Sequence, residues 1–122
     1  MLLSKIRTWL QRCGFRVAVA DGGAGGIDAL RRSAFDLMIV DIFMPYIRAF
    51  ESIRVFHERA PAVPLIAFAD LDSPAPDSLR MALELGAARC LRKPFSPGAI
   101  LTVINECLTE ARSRSEGVAQ LR

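Results

Sequence analysis

The fold of this chain is decided by one stretch, residues 35–41, which runs FDLMIVD. From Leu37 to Val40 every side chain is apolar, and Asp41 then ends the run. A short run that is apolar on both faces is typical of a strand in a parallel sheet that helices cover on both sides. We therefore predict a buried strand here, with an acidic group at its carboxyl end.

Three further segments repeat this arrangement of an apolar run that ends in a polar turn: Phe15–Ala20, Pro64–Ala69 and Ala88–Arg92. The last is the most polar, because Arg89 and Arg92 interrupt it, and charged residues favour a place at the edge of a sheet. Together with residues 35–40, these segments predict four strands.

Between the strands, apolar residues recur at helical spacing and predict five helices. They lie at residues 2–13, 24–34, about 50–60, 79–85 and from 97 onward. Gly14 and Gly86 are placed to end two of them, while Ser96 and Pro97 are placed to begin the last. Helical connections between parallel strands predict an α/β doubly wound sheet with helices on both faces.

The length and composition suit one globular domain, which we place at residues 1–111, before a polar segment at 112–122. That segment is a tail, the start of a linker or an extension of the last helix. The 16 basic and 13 acidic residues give a net charge of +3 without a basic cluster, which disfavours nucleic-acid binding. No apolar run is long enough for a membrane span and the first residues carry charges, so we predict a cytoplasmic protein. Three cysteines without metal-ligand spacing are predicted to be small buried hydrophobes.

Charged residues follow the strands where a functional site is expected. In doubly wound sheets, ligands bind beyond the carboxyl ends of the strands. Asp21, Asp41, Asp70 and Lys93 all lie at or just past such an end. Turn formation is the alternative explanation, because aspartate is common wherever a strand stops.

These segments resemble a known family, the receiver domain of response regulators. Residues 35–45 resemble its third strand and phosphoacceptor turn, 64–68 its fourth strand, and 86–95 its fifth strand with a Lys-Pro turn. The resemblance covers residues 1–111. It implies a flavodoxin-like fold and a signalling domain rather than an enzyme, with a sensor histidine kinase as partner. It makes Asp41 the phosphoacceptor, Lys93 the contact to the phosphoryl group, and Asp41 with the Phe43 backbone carbonyl ligands of Mg²⁺.

The sequence also departs from the family. Receivers begin with a strand that ends in an acidic, Mg²⁺-binding pair, whereas this sequence begins at the first helix. Ala69 stands where the family has Ser or Thr, and Cys90 replaces an aromatic residue. We therefore expect a weak or absent metal site and impaired phosphorylation, with Asp70 and Asp21 as possible substitute ligands.

The missing strand would be central, because the family's sheet order is 2-1-3-4-5. Unpaired backbone groups beside the gap would each cost about 1–3 kcal/mol, so the gap must be filled. Met1 is an internal residue of a longer chain, a second chain fills the gap, or the strand at 15–20 pairs directly with the strand at 35–40. We favour a homodimer, with strand exchange as one form.

Three functions stay open from the sequence. The first is a receiver that accepts a phosphoryl group on Asp41. The second is a pseudo-receiver that acts without phosphorylation as a dimerisation or protein-interaction module. The third is a flavin- or nucleotide-binding domain that uses the glycine-rich segment at 21–26, although that segment lacks the spacing of a phosphate-binding loop and suits a plain strand–helix connection.

Overall fold

The computed structural model describes residues 2–20, 22–42, 46–70, 78–93 and 96–120. Within these ranges the chain forms five helices and three strands. In chain order they are α1 (Leu2–Arg12), α2 (Gly22–Arg32), β1 (Met38–Ile42), α3 (Tyr46–Arg59), β2 (Leu65–Asp70), α4 (Ser78–Leu85), β3 (Arg89–Lys93) and α5 (Pro97–Gln120).

The three strands form one parallel sheet in the order β1-β2-β3. The central strand β2 is the most apolar, and Leu65, Ile66, Ala67 and Phe68 are at most 1 % exposed. β3 lies at an edge, as its two arginines predicted. The predicted α/β class, a parallel sheet covered by helices, is confirmed.

Two apolar layers cover the two faces of the sheet. On one face, α1 and α5 pack against β2 through Ile6, Leu10, Ile66, Phe68, Ile100, Ile104 and Cys107. On the other face, α3 and α4 pack against β1 and β2 through Ile42, Ile53, Phe56, Leu65, Ala67, Ala82 and Ala87. Both faces of β1 therefore meet an apolar layer, which explains why residues 37–40 are all apolar.

The strand predicted at Phe15–Ala20 is wrong. These residues belong to no strand, and the sheet of the described residues has three strands rather than four. Phe15 and Val17 touch the α1/α5 layer, whereas Val19 is 54 % exposed. A strand forms only when its backbone has a partner, and this segment does not pair with β1.

The predicted helix boundaries are largely reproduced. Gly14 and Gly86 end their helices with positive φ angles of 95° and 125°, a conformation that glycine adopts without a steric cost. At the start of α5, the Ala99 amide donates to Ser96 Oγ at 3.2 Å, as expected for an N-cap.

Three further expectations are corrected or refined. α2 covers Gly22–Arg32 rather than 24–34, and α5 continues to Gln120, so most of the polar segment is an extension of the last helix. The domain boundary at 111 stays a prediction. Cys107 is buried and Cys90 partly so, whereas Cys13, which follows the last residue of α1, is exposed, so its predicted burial is wrong. Within the described ranges, no helix is both long and apolar enough to cross a bilayer.

Candidate functional site

Asp41 is the next-to-last residue of β1, which ends at Ile42. Its Cα is paired with that of Phe68 in the central strand. Ile39 contacts the α1/α5 layer and Val40 the opposite layer, so the alternation of the strand places Asp41 on the α1/α5 side. The side chain is half-buried and its Oδ1 atom is shielded from solvent. A carboxylate held this way has a fixed position at the carboxyl edge of the sheet.

Lys93 ends β3 at the same edge of the sheet. Its Cα is paired with that of Asp70, whereas Asp41 is level with Phe68 in β2 and Leu91 in β3. Lys93 is therefore two strands away from Asp41 and two residues further along. With strands about 4.8 Å apart and a rise of about 3.3 Å per residue, the two Cα atoms are separated by about 12 Å. An aspartate and a lysine side chain together can bridge much of that span.

The other predicted site residues divide into two groups. Asp70 is the last residue of β2, and its backbone lies between β1 and the paired Lys93. Asp21 and Phe43 lie outside the described residues. The backbone thus gathers Asp41, Asp70 and Lys93 at one edge.

The described side chains supply one of the predicted magnesium ligands, Asp41. Hard cations such as Mg²⁺ need several oxygen ligands in near-octahedral geometry. Across the described part of the chain, no three His, Cys, Asp or Glu side chains come together in a way that could hold a metal ion. Of the predicted side-chain ligands, only Asp41 is described in side-chain detail there.

Cys90 lies in β3 opposite Ala67 of the central strand. It contacts the apolar layer formed by α3 and α4. Burial raises the pKa of the Cys90 thiol from 9.0 to about 11, because the thiolate would lose its hydration there. The thiol is therefore neutral and unreactive at ordinary pH, and Cys90 acts as a small apolar residue at the position where the family has an aromatic one.

The sequence analysis missed one polar contact at the amino end of β3, away from the candidate site. The Arg89 guanidinium of β3 forms an ion pair with Glu110 of α5 and donates a second hydrogen bond to the Ala88 carbonyl at 3.0 Å. This contact explains how an arginine is accommodated in a short apolar strand. The partners are 21 positions apart, so no local pattern could have revealed the pair.

Comparisons with known proteins identify relatives of this chain. The family model of the response regulator receiver domain matches residues 1–105. The transcriptional regulatory protein CreB of Escherichia coli is 34 % identical over 106 residues, which are 87 % of this chain and 45 % of that protein. GltR of Pseudomonas aeruginosa, also a transcriptional regulatory protein, is 33 % identical over 109 residues, which are 88 % of this chain and 44 % of GltR. The chain thus spans less than half the length of these relatives.

Solved structures share the fold at lower identity. A CheY-like response regulator receiver domain protein from Methanospirillum hungatei superimposes with a TM-score of 0.82 at 23 % identity, covering 93 % of this chain and 89 % of that one. A response regulator protein from Burkholderia pseudomallei, solved with a phosphorylated aspartic acid and a calcium ion, gives 0.75 at 17 % identity, covering 93 % and 66 %. The family model matches residues 1–105, and the chain shares the fold of these structures. The chain therefore belongs to the response regulator receiver domains of two-component systems.

Proposed function

We propose that Asp41 accepts a phosphoryl group from the phosphohistidine of a sensor histidine kinase. The position of Asp41 supports this most directly, since it fixes a carboxylate near the carboxyl end of β1. In the transfer, the P–N bond of the donor breaks as a carboxylate oxygen bonds to phosphorus. That step needs positive charge near the phosphoryl oxygens rather than covalent help from the protein.

Lys93 is proposed to supply that charge. Its backbone ends the strand two positions from β1 at the same edge, and an ammonium group is a compact point charge suited to a phosphoryl oxygen. Receiver domains generally bind Mg²⁺. We propose slow Mg²⁺-dependent phosphorylation, because Ala69 stands where the family has a Ser or Thr that contacts the phosphoryl group.

Labelling with a radioactive small-molecule acyl phosphate tests this function. We expect slow incorporation into the wild-type chain, none into Asp41→Asn, and at least about tenfold slower incorporation into Lys93→Ala, in line with losses seen when one charge-stabilising group is removed. Asp28→Asn is the matched control, because Asp28 is an exposed aspartate on α2 that pairs with Arg32. Equal labelling of Asp41→Asn and the wild type would overturn the proposal.

A second function is favoured by a different observation, the outer edge of β1. Only β2 pairs with β1 among the described strands, so β1 is an edge strand even though both its faces meet apolar layers. Edge strands recruit further strands. We propose that the chain can also act as an assembly module that needs no phosphoryl group. In that case Asp41→Asn would leave its oligomeric state unchanged, which light scattering would measure.

A further inference from the structure

We infer that Asp70, at the end of β2, restrains phosphoryl transfer to Asp41 by competing for the charge of Lys93. This inference rests on the proposed phosphorylation of Asp41 and names a residue that regulates the same site. Asp70 is a positioning residue in this sense, because it acts through Lys93 rather than on the reacting atoms.

The strand register places Asp70 directly beside Lys93. The two residues are Cα partners at the ends of β2 and β3, one strand spacing of about 4.8 Å apart. Asp41 lies one strand from Asp70 and two residues earlier in register, because its partner in β2 is Phe68. This offset separates the Cα atoms of Asp41 and Asp70 by about 8 Å, and those of Asp41 and Lys93 by about 12 Å. Of the two aspartates, Asp70 is therefore the one level with the lysine.

All three residues belong to one face of the sheet. Phe68 and Leu91, which are level with Asp41 in β2 and β3, both belong to the α1/α5 layer. Residues two positions apart in a strand share a face, so Asp70 and Lys93 are placed on this same face. Opposite charges directly across two neighbouring strands attract each other. The register thus brings an acidic and a basic residue to the same level and the same face of adjacent strands.

This placement limits the positive charge available to the phosphoryl group. Lys93 is proposed to stabilise the phosphoryl oxygens as they move to Asp41, and a negative charge beside Lys93 competes with those oxygens. The phosphoryl group then has to draw the ammonium group away from Asp70 or react with less positive charge nearby. In both cases the barrier rises, so Asp70 slows the reaction that Lys93 assists.

The sequence left a different role open for Asp70, that of a substitute Mg²⁺ ligand. The two roles predict opposite effects of removing its charge. Loss of a metal ligand would slow labelling of Asp41, whereas loss of a competing charge would speed it. The register with Lys93 favours the second role, because a carboxylate beside an ammonium group attracts a cation less strongly.

Labelling of the full chain with a radioactive acyl phosphate in the presence of Mg²⁺ separates these roles. We expect Asp70→Asn to be labelled about threefold faster than the wild type, the size of effect that a solvated charge pair produces. Asp36→Asn is the matched control, because it removes the same charge from an exposed residue just before β1, at the opposite end of the sheet, and its rate should equal that of the wild type. Slower or unchanged labelling of Asp70→Asn would overturn the inference.

A second background shows whether Asp70 acts through Lys93. In Lys93→Ala chains, the additional change Asp70→Asn should leave the slow rate unaltered, because no lysine charge remains to be released. An equal gain in both backgrounds would mean that Asp70 repels the phosphoryl group directly, and would overturn the role of Lys93 in the inference. Asp70→Glu keeps the charge and should stay as slow as the wild type, whereas a rate as fast as that of Asp70→Asn would also overturn it.

The reactivity of the Lys93 amine gives a readout that needs no phosphorylation. A trace of an amine-acylating reagent, followed by mass spectrometry of the peptide that contains Lys93, should modify Asp70→Asn about threefold faster than the wild type, because ion pairing holds the amine in its unreactive charged form. Equal reactivity would overturn the pairing. If no variant is labelled at Asp41, the proposed function fails, and the reactivity of Lys93 alone decides whether Asp70 interacts with it.

Discussion

The two edges of the sheet are built in opposite ways. At the β3 edge, the strand carries two arginines, and Arg89 is tied to α5 by its ion pair with Glu110. At the β1 edge, residues 37–40 are all apolar, and the neighbouring segment Phe15–Ala20 lies apart without pairing. Charge and a covering helix protect an edge from unwanted pairing, whereas an apolar edge invites it. The difference indicates that β3 is a true outer edge and that β1 has the composition of an inner strand.

The largest expected effect comes from breaking the inner side of β1. The Met38 amide donates to the Pro64 carbonyl at 2.9 Å, and backbone groups alternate along a parallel strand, so the Val40 amide also faces β2 and the Ile39 amide faces away from it. Val40→Pro removes that inner amide, so we expect the free energy of unfolding to fall by about 3 kcal/mol or more, from the lost ladder bond and the orphaned carbonyl. Ile39→Pro removes an amide at the outer edge and should cost only about 1–2 kcal/mol, mainly from lost side-chain packing. Denaturant unfolding at a protein concentration that keeps the chain monomeric would measure both. Equal losses would contradict the assignment of an open outer edge.

The next effect compares two glycines, one before β3 and one before the segment Phe15–Ala20. Gly86 precedes β3, and a Cβ there would lie 2.6 Å from Cδ2 of His57, in addition to the strain of φ +125°. Gly14 precedes Phe15–Ala20, and a Cβ there would meet no atom within 4 Å.

We therefore expect Gly86→Ala to cost about 2–4 kcal/mol, and Gly14→Ala about 1 kcal/mol from the positive φ alone. Thermal or denaturant unfolding of the two variants would measure the difference. If Gly14→Ala proved the more damaging, the turn into the unpaired segment would be the more tightly packed one, against the structure.

The sequence predicted the paired strands and the last helix better than it predicted the segment Phe15–Ala20. β1, β2 and β3 were located because each apolar run ends in a charged residue, and α5 because Ser96 and Pro97 mark its start. Phe15–Ala20 has the same local pattern but is not a strand, since pairing depends on a distant partner that a local pattern cannot show. For the same reason, the Arg89–Glu110 pair, 21 positions apart, was missed.

The candidate site was predictable to the level of the backbone. Sheet topology alone indicated that Asp41, Asp70 and Lys93 share an edge, because the carboxyl ends of parallel strands lie together. A metal-ligand set depends on the directions of individual side chains around a common point, and strand spacing does not determine these. The roles of Asp41 and Lys93 therefore stay proposals for the labelling experiment.

A smaller effect concerns Cys90, which lies in β3. Its pKa is raised to about 11 in the folded chain, against 9.0 in the unfolded one. Below pH 9 the thiol is neutral in both states, and between pH 9 and 11 the unfolded state ionises first. The stabilisation by Cys90 is therefore complete below pH 9 and is lost as the pH rises toward 11. Because the thiol is only partly buried, we expect a loss of about 1–2 kcal/mol.

The measurement compares unfolding of the wild type with that of Cys90→Ala at several pH values. The stability difference between the two should be constant up to pH 9 and shrink by pH 11, while titration of other groups cancels in the difference. A difference that does not depend on pH would show that the thiol is not desolvated.

The smallest effect is the ion pair that distinguishes the β3 edge. The Arg89 and Glu110 side chains are 38 % and 44 % exposed, so solvent screens their attraction, and a double-mutant cycle of Arg89→Met and Glu110→Gln should give a coupling of about 0.5 kcal/mol. The coupling should fall further in molar salt, where the screening length is about 3 Å. Arg92→Met is the matched control, because Arg92 lies in the same strand, is exposed, and joins no ion pair that the described side chains form. A coupling near zero in low salt would mean that the Arg89 stem and the helix packing, rather than charge, hold α5 to this edge.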